Sequence, residues 1–282
     1  MISVIIPTYN RRCFLEGALL SVMDQSRPAD EIIIVDDGSE DGTDELVSSL
    51  QKQVPGLIRY FRQPQRGAAA ARNRGIRQAR GDLLCFLDSD DRFAADKLDI
   101  QYRAMGENPA YSISHTREIW YRRGRHLNQK KKHAPPHGYI FPKCLAMCAV
   151  GMSTVMIRRR LFSDHGFFDE SLPCCEDYDF WLRLSVTERF LLVDEPLTIK
   201  EGGRPDQLSV IHRVGMDRYR IASIRKLLDS AALSGRQRLQ AVSELARKCR
   251  IYGNGCIKHG RVDEGRRILS LAQQYAATAA NL

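Results

Sequence analysis

Seven acidic side chains fall in three tight sets: Asp36 and Asp37, then Asp88, Asp90 and Asp91, then Glu176 and Asp177. The first two sets close short apolar runs, and the third opens a stretch with helical spacing. Carboxylates this close repel one another unless a cation lies between them. Hard oxygen donors select Mg²⁺ or Mn²⁺, and an ion held by one or two carboxylates completes its shell with substrate phosphate oxygens and water. The chemistry expected is therefore binding of a phosphate-bearing ligand through a divalent ion, with a further carboxylate free to remove a proton. Asp88, Asp90 and Asp91 are the candidate ligands.

Such acids need rigid elements behind them. Ile2 to Pro7 reads as a strand, followed by a loop and a helix with Phe14, Leu15, Ala18, Leu19, Val22 and Met23 on one stripe. "EIIIVDDGSEDGT" repeats the pattern with a fully apolar strand from Ile32 to Val35, which implies burial on both faces and hence a parallel sheet. A strand at Ile58 to Phe61, a helix at Ala68 to Ala79 and a strand at Leu83 to Leu87 continue it. The first ninety residues are thus a βα repeat, and ligands of such sheets gather at the carboxyl ends of the strands, where the acids lie.

Beyond Asp91 the order is less regular. A helix is expected near Ala95 to Glu107, then a hairpin turning at Arg123-Gly124, then a mobile basic loop, "NQKKKHAPPHG". Strands are expected at Thr154 to Ile157 and Phe190 to Val193, with a helix from Glu176 carrying Phe180, Trp181 and Leu184 between them. After His212 only helical patterns remain. These expectations give two units: residues 1–211, a catalytic α/β domain, and residues 212–282, a C-terminal helical extension.

Composition narrows the class. A chain of 282 residues, 43% hydrophobic with a net charge of +9, forms an ordinary core and suits an anionic partner. No run is long and apolar enough to span a bilayer. The eight cysteines lack Cys-x-x-Cys spacing and read as reduced thiols, so a cytoplasmic protein is expected, with peripheral contact at the inner membrane face left open through Lys130 to Lys132. Basic residues interleaved with readout elements are not visible, so nucleic acid is not expected as a partner. "DGSEDGTDELVS" starts like a calcium loop but has Ser48 where a bidentate Glu is required. The Asp88-Ser89-Asp90 triplet is also wrongly placed, mid-chain, for an aspartate-nucleophile phosphohydrolase.

Four segments in order, "VIIPTYNR", "EIIIVDDGSEDGT", "GAAAARNRGIRQARGDLLCFLDSDD" and "CCEDYDFWLRL", resemble the inverting glycosyltransferases of family 2. The likeness covers Ile2 to Ser209. It implies the GT-A nucleotide-diphospho-sugar transferase fold, a Rossmann-like mixed sheet flanked by helices, here with a C-terminal helical appendage. It implies transfer of a sugar from a UDP- or dTDP-sugar to a glycan or lipid-linked acceptor, in polysaccharide or cell-wall synthesis, with Mn²⁺ or Mg²⁺. Pro7, Thr8 and Tyr9 would line the base pocket, and Asp37 would accept from the imide of the base. Arg72 would support the base or the diphosphate. Asp88 and Asp90 form the Asp-x-Asp element, and either Asp90 or Asp91 is the direct metal ligand. Asp177 matches the catalytic base, while Glu176 contacts the acceptor or orients Asp177.

"KEGGRPDQLS" resembles a segment after the last core strand in part of the family, with Arg204 where a His is frequent, so Arg204 is a candidate diphosphate contact. The Gln-x-x-Arg-Trp segment of processive synthases is absent, which favours single additions. A catalytically silent sugar-nucleotide or membrane-surface binding protein of the same fold is the alternative. The presence of all the acids weighs against it.

Overall fold

The computed structural model describes residues 1–280. The chain opens as three strand–helix units: β1 (Ile2–Thr8), α1 (Arg12–Met23), β2 (Glu31–Asp36), α2 (Thr43–Gln53), β3 (Ile58–Arg62) and α3 (Ala68–Gln78). Then follow β4 (Leu83–Phe86), a two-residue β5 (Arg92–Phe93), α4 (Lys97–Glu107) and the hairpin β6 (Ile113–Arg122) and β7 (Arg125–Leu127). Next come α5 (Phe141–Ala146), β8 (Met156–Arg158), α6 (Arg160–His165), α7 (Glu176–Leu184) and β9 (Phe190–Gly202). Four helices follow among the described residues: α8 (Leu208–Ile211), α9 (Met216–Asp229), α10 (Gly235–Lys258) and α11 (Val262–Ala280).

The sheet runs β3-β2-β1-β4-β8-β6-β9-β5, with β7 on the edge of β6. β1 pairs in parallel with β2 and β4, and β2 with β3. β8 reverses the direction next to β4 and β6, so the sheet is mixed. Order reverses between β1 and β4, and the crevice outside their carboxyl ends is the topological switch point.

All residues of β1 and β2 are buried, as a strand covered on both faces requires. Val4, Ile6, Ile32 and Ile34 face α1, α2 and α4, while Ile5, Ile33 and Val35 face α3, α5 and α7. Gly75 lets α3 lie directly on β1, because a Cβ there would stand 2.4 Å from Ile5 Cγ2. The hairpin turns at Arg123 and Gly124, at φ +53° and +72°, both left-handed as a two-residue turn of this twist demands.

Three expectations are corrected here. Residues Met152–Thr154 form a 3₁₀ turn and β8 begins only at Met156, because Ser153 Oγ and the Thr154 carbonyl serve buried polar groups of other elements. The last strand does not stop near Val193 but continues to Gly202. It passes Pro196 at a register shift opposite Thr116 and Arg117, a bulge that accommodates the missing N–H. The basic loop is not free: Lys131–His133 form a 3₁₀ turn, and Gly138 exchanges two backbone hydrogen bonds with Phe190.

Ile221, Ile224, Leu227, Leu245 and Cys249 of the C-terminal helices belong to the same buried cluster as Phe86, Ile113 and Trp181. Gln237 Nε2 also donates to the Val186 carbonyl, and Lys248 Nζ to that of Ala146. The tail thus completes the second face of the sheet. No helix among the described residues is long and apolar enough to cross a membrane.

Candidate active site

The crevice is lined from both sides of the switch point. At the end of β1, Pro7 and Thr8 are buried and Tyr9 is exposed on the rim. Thr8 Oγ1 is buried without a hydrogen-bond partner among the described residues, an orphan that a ligand in the crevice would satisfy. Asn10, at φ +50°, ties this loop to the one after β2: its N–H donates to Ser39 Oγ and its Oδ1 accepts from Glu40 N–H.

Asp37 is buried and already in use. Its Oδ1 accepts from Gln63 Nε2 and Arg66 N–H at 2.8 and 2.9 Å, and its Oδ2 accepts from Gly67 N–H at 2.7 Å. Asp37 therefore fastens the loop that enters α3, and only the remaining acceptor capacity of Oδ2 could meet a base.

Arg72 lies on the buried face of α3 and bridges two acids. Its Nη1 donates to Glu176 Oε1 at 2.5 Å and its Nη2 to Asp88 Oδ1 at 2.7 Å, while Nε has no hydrogen-bond partner among the described residues. One guanidinium thus draws the start of α7 against the end of β4. Burial pushes Asp88 up, but Arg72, with Lys200 and Arg11 farther off, holds it below the usual carboxylate range. Burial raises Glu176, against Arg72 and with the Asp177 charge adding.

α7 begins after Cys175, a non-glycine residue at φ +65°, and carries Glu176, Asp177 and Asp179 in its first turn, where the helix dipole favours negative charge. Asp177 is the half-buried member. Its Oδ1 accepts from Tyr178 N–H at 2.6 Å and its Oδ2 from Cys148 Sγ at 3.1 Å. Trp181 is fully buried, a core residue as its place on the helix suggests.

The three acids after β4 diverge. Asp90 is paired with Arg204 and accepts from Gln207 Nε2 at 3.2 Å, both through Oδ2. Asp91 is 2% exposed, turned inward to accept from Ser153 Oγ at 2.7 Å, with Lys200 Nζ 4.0 Å away. Burial, with the Asp88 and Asp90 charges adding and Lys200 opposing, pushes Asp91 up to about 8. Asp91 thus lies beneath the site, turned toward Ser153 and Lys200.

Asp88 Oδ2 and Asp90 Oδ1 accept no hydrogen bond from the described residues. No three His, Cys, Asp or Glu side chains among those residues are grouped as metal ligands. Two carboxylates, each with an uncommitted oxygen, fit an Mg²⁺- or Mn²⁺-type ion that takes the rest of its shell from a bound diphosphate.

Three residues at the site take no role in the sequence reading. Lys200, on the far half of β9, is held protonated, its charge favoured by Glu118, Asp91, Asp88 and Asp177 against the cost of desolvation. Ser153 links Asp91 to the backbone N–H of Asp88. Arg11 pairs with Asp206 and Arg204 stacks on Phe14 at 4.1 Å, so residues 203–207 are laid across the crevice. The full length of β9 could have pointed to Lys200, but Ser153 and Arg11 lie on other elements. Trp120, on the hairpin, donates to Glu118 Oε2 and lies against His133.

The family model described as glycosyl transferase family 2 matches residues 3–166. An uncharacterized glycosyltransferase of Rickettsia felis is 37% identical over 203 residues, 70% of this chain and 32% of its own length. The Escherichia coli protein WfgD, named a UDP-Glc:alpha-D-GlcNAc-diphosphoundecaprenol beta-1,3-glucosyltransferase, is 29% identical over 190 residues, 66% of this chain and 69% of that one. The chain spans about a third of the length of the Rickettsia felis and Rickettsia conorii relatives it matches. Among solved structures, S. aureus TarS in complex with UDP-GlcNAc superposes with TM-score 0.71 at 17% identity, covering 97% of this chain and 91% of that one. The mannosyltransferase PcManGT from Pyrobaculum calidifontis, in complex with GDP-Man and Mn²⁺, gives 0.64 at 17% identity, covering 99% and 85%.

Proposed function

The chain belongs to glycosyltransferase family 2 and has the GT-A fold, and on that premise we propose that it transfers a sugar, with inversion, from a UDP- or dTDP-sugar to the hydroxyl of a glycan or lipid-linked acceptor. The observation that carries the reading is the Arg72 bridge, which draws Glu176, and with it Asp177, up to Asp88 at the switch point. The relative whose printed name includes a UDP-sugar and a diphosphoundecaprenol-linked acceptor, WfgD, supports the donor and acceptor classes.

The base and ribose are assigned to the end of β1, with Tyr9 on the exposed rim and Thr8 Oγ1 supplying an unused hydrogen-bonding group. Asp88 and Asp90 would hold the ion, which when bound neutralises charge on the departing diphosphate. Arg204 is positioned to exchange Asp90 for a diphosphate oxygen, since a guanidinium pairs with either. Asp177 takes the acceptor proton as the hydroxyl oxygen bonds to the anomeric carbon and the bond from that carbon to the diphosphate breaks. Glu176, neutralised by Arg72, positions α7 and does not share the proton. No covalent intermediate is needed. Residues 212–282 are proposed as a boundary of function, with acceptor-side roles, rather than of packing.

The test is a thermal-shift panel of UDP-, dTDP- and GDP-sugars with manganese, followed by turnover of the donor that shifts. Asp177→Asn should lower transfer by at least about 100-fold while donor affinity stays within a few fold. An unimpaired rate removes Asp177 as the base.

A further inference from the structure

Between the last strand and α9 the chain exposes a run of apolar side chains. Leu208 and Val210 are 42% exposed, Ile211 60% and Val214 86%. These large aliphatic groups crowd into seven successive positions, with the exposed Arg213 among them. Single exposed apolar residues need no explanation, but a contiguous group on a charged protein marks an interaction surface.

The cations beside the run indicate its occupant. Arg122 is in register with Gly202, and its side chain packs so closely on Gly203 that a Cβ there would stand 2.7 Å from Arg122 Cγ. Gln207 turns the chain back, its Oε1 accepting from Gly203 N–H at 2.9 Å, so Leu208 starts one turn from that contact. The hairpin tip therefore lies at the same edge of the sheet, and its Arg122, Arg123 and Arg125 are all exposed. Asp206, the nearest exposed acid, is neutralised by Arg11 and Arg204.

A second copy of a chain carrying +9 would bring like-charged rims together, whereas an anionic lipid surface takes up both the aliphatic groups and the guanidinium groups. We propose that Leu208 to Val214 and the β6–β7 tip form a docking surface for an anionic phospholipid bilayer. The residues just before this segment, Arg204 and Gln207, sit on Asp90, so docking places the crevice at the membrane face. This goes beyond the transfer reading and does not depend on it, because the lipid contact requires neither donor nor acceptor.

The full chain is sedimented with vesicles of phosphatidylcholine alone and with about 30 mol% phosphatidylglycerol. Binding is expected only to the anionic vesicles, and it should be lost in high salt. Arg123→Gln/Arg125→Gln should weaken it roughly 30-fold, at about 5-fold per cation. Ile211→Ser/Val214→Ser should weaken it at least about 10-fold, while Leu239→Ser, at an exposed apolar residue near the start of α10, should leave it unchanged. Circular dichroism verifies that each variant is folded. Equal binding to neutral vesicles, full binding by either double variant, or a dimer in light scattering that the Ile211/Val214 variant dissolves without vesicle binding would overturn the proposal. A chain that binds vesicles yet transfers no sugar would refute the transfer reading alone.

Discussion

Replacing Arg72 by Met separates the charge of the bridge from its volume. The guanidinium is buried with Glu176, and its removal strands a carboxylate that is 6% exposed, while Asp88 keeps a side chain 28% exposed and can be rehydrated. Removing one partner of a buried pair costs about 3–5 kcal/mol because the other charge is left uncompensated. Arg72→Met should therefore lose about that much in urea unfolding, and Arg72→Met/Glu176→Gln should recover a coupling energy of about 2 kcal/mol.

The pH dependence gives an independent check. Burial holds Glu176 above its ordinary 4.5, against Arg72 and with Asp177 adding. An acid raised on folding binds more protons folded than unfolded, so its contribution is full below the unfolded value and falls as pH rises through the folded one. Without Arg72 the folded value climbs further. The penalty of Arg72→Met should accordingly be smaller near pH 5 than near pH 7. Additive single-variant costs, or a penalty independent of pH, would show that Arg72 acts by packing alone.

Three further outcomes are expected. Donor binding measured by calorimetry should fall at least about 10-fold in a chelator or in Asp90→Asn, and Asp91→Asn should affect stability more than donor affinity, since Asp91 lies beneath the site. Cys148→Ala removes the thiol that donates to Asp177 Oδ2 at 3.1 Å and should lower turnover about 3- to 10-fold, whereas Cys148→Ser, which keeps a donor, should stay within about 2-fold. His115 is held down to about 4 by burial, despite the Pro136 carbonyl. A histidine depressed on folding contributes fully above 6.5 and loses stability as pH falls toward 4, by up to about 3 kcal/mol, and His115→Gln should flatten that slope in unfolding measured between those values.

The strands and the acids at their ends were legible because both follow local rules. Ile32 to Val35 can only be a strand buried on both faces, and Asp37 and Asp88 end rigid runs. What each acid touches was not legible, because it depends on partners far along the chain: Arg72 meets Glu176 across 104 positions and Asp90 meets Arg204 across 114. Asp90 and Asp91 are adjacent and chemically identical, and only the turn geometry sends one outward to Arg204 and the other inward to Ser153. The length of β9 was hidden by Pro196, which reads as a break unless the opposing bulge is known. Lys200 was missed for the same reason.

The charge balance joins the site to the surface. In the crevice Asp88 and Glu176 share Arg72, Asp90 takes Arg204, Asp91 faces Lys200, and Arg11 takes Asp206. These pairs set five acids against four cations, a formal charge of −1, so none of the net +9 of the chain comes from them. The surplus must lie elsewhere, and one concentration of it is the hairpin tip and the basic turn at Lys131–His133, both on exposed edges. Charge outside the crevice cannot neutralise a diphosphate inside it at contact range, given screening over about 8–10 Å. It can act on an extended anionic surface. On the proposed reading, the positive balance belongs to the surface that meets an anionic layer, and donor binding would rest on the internally compensated pairs.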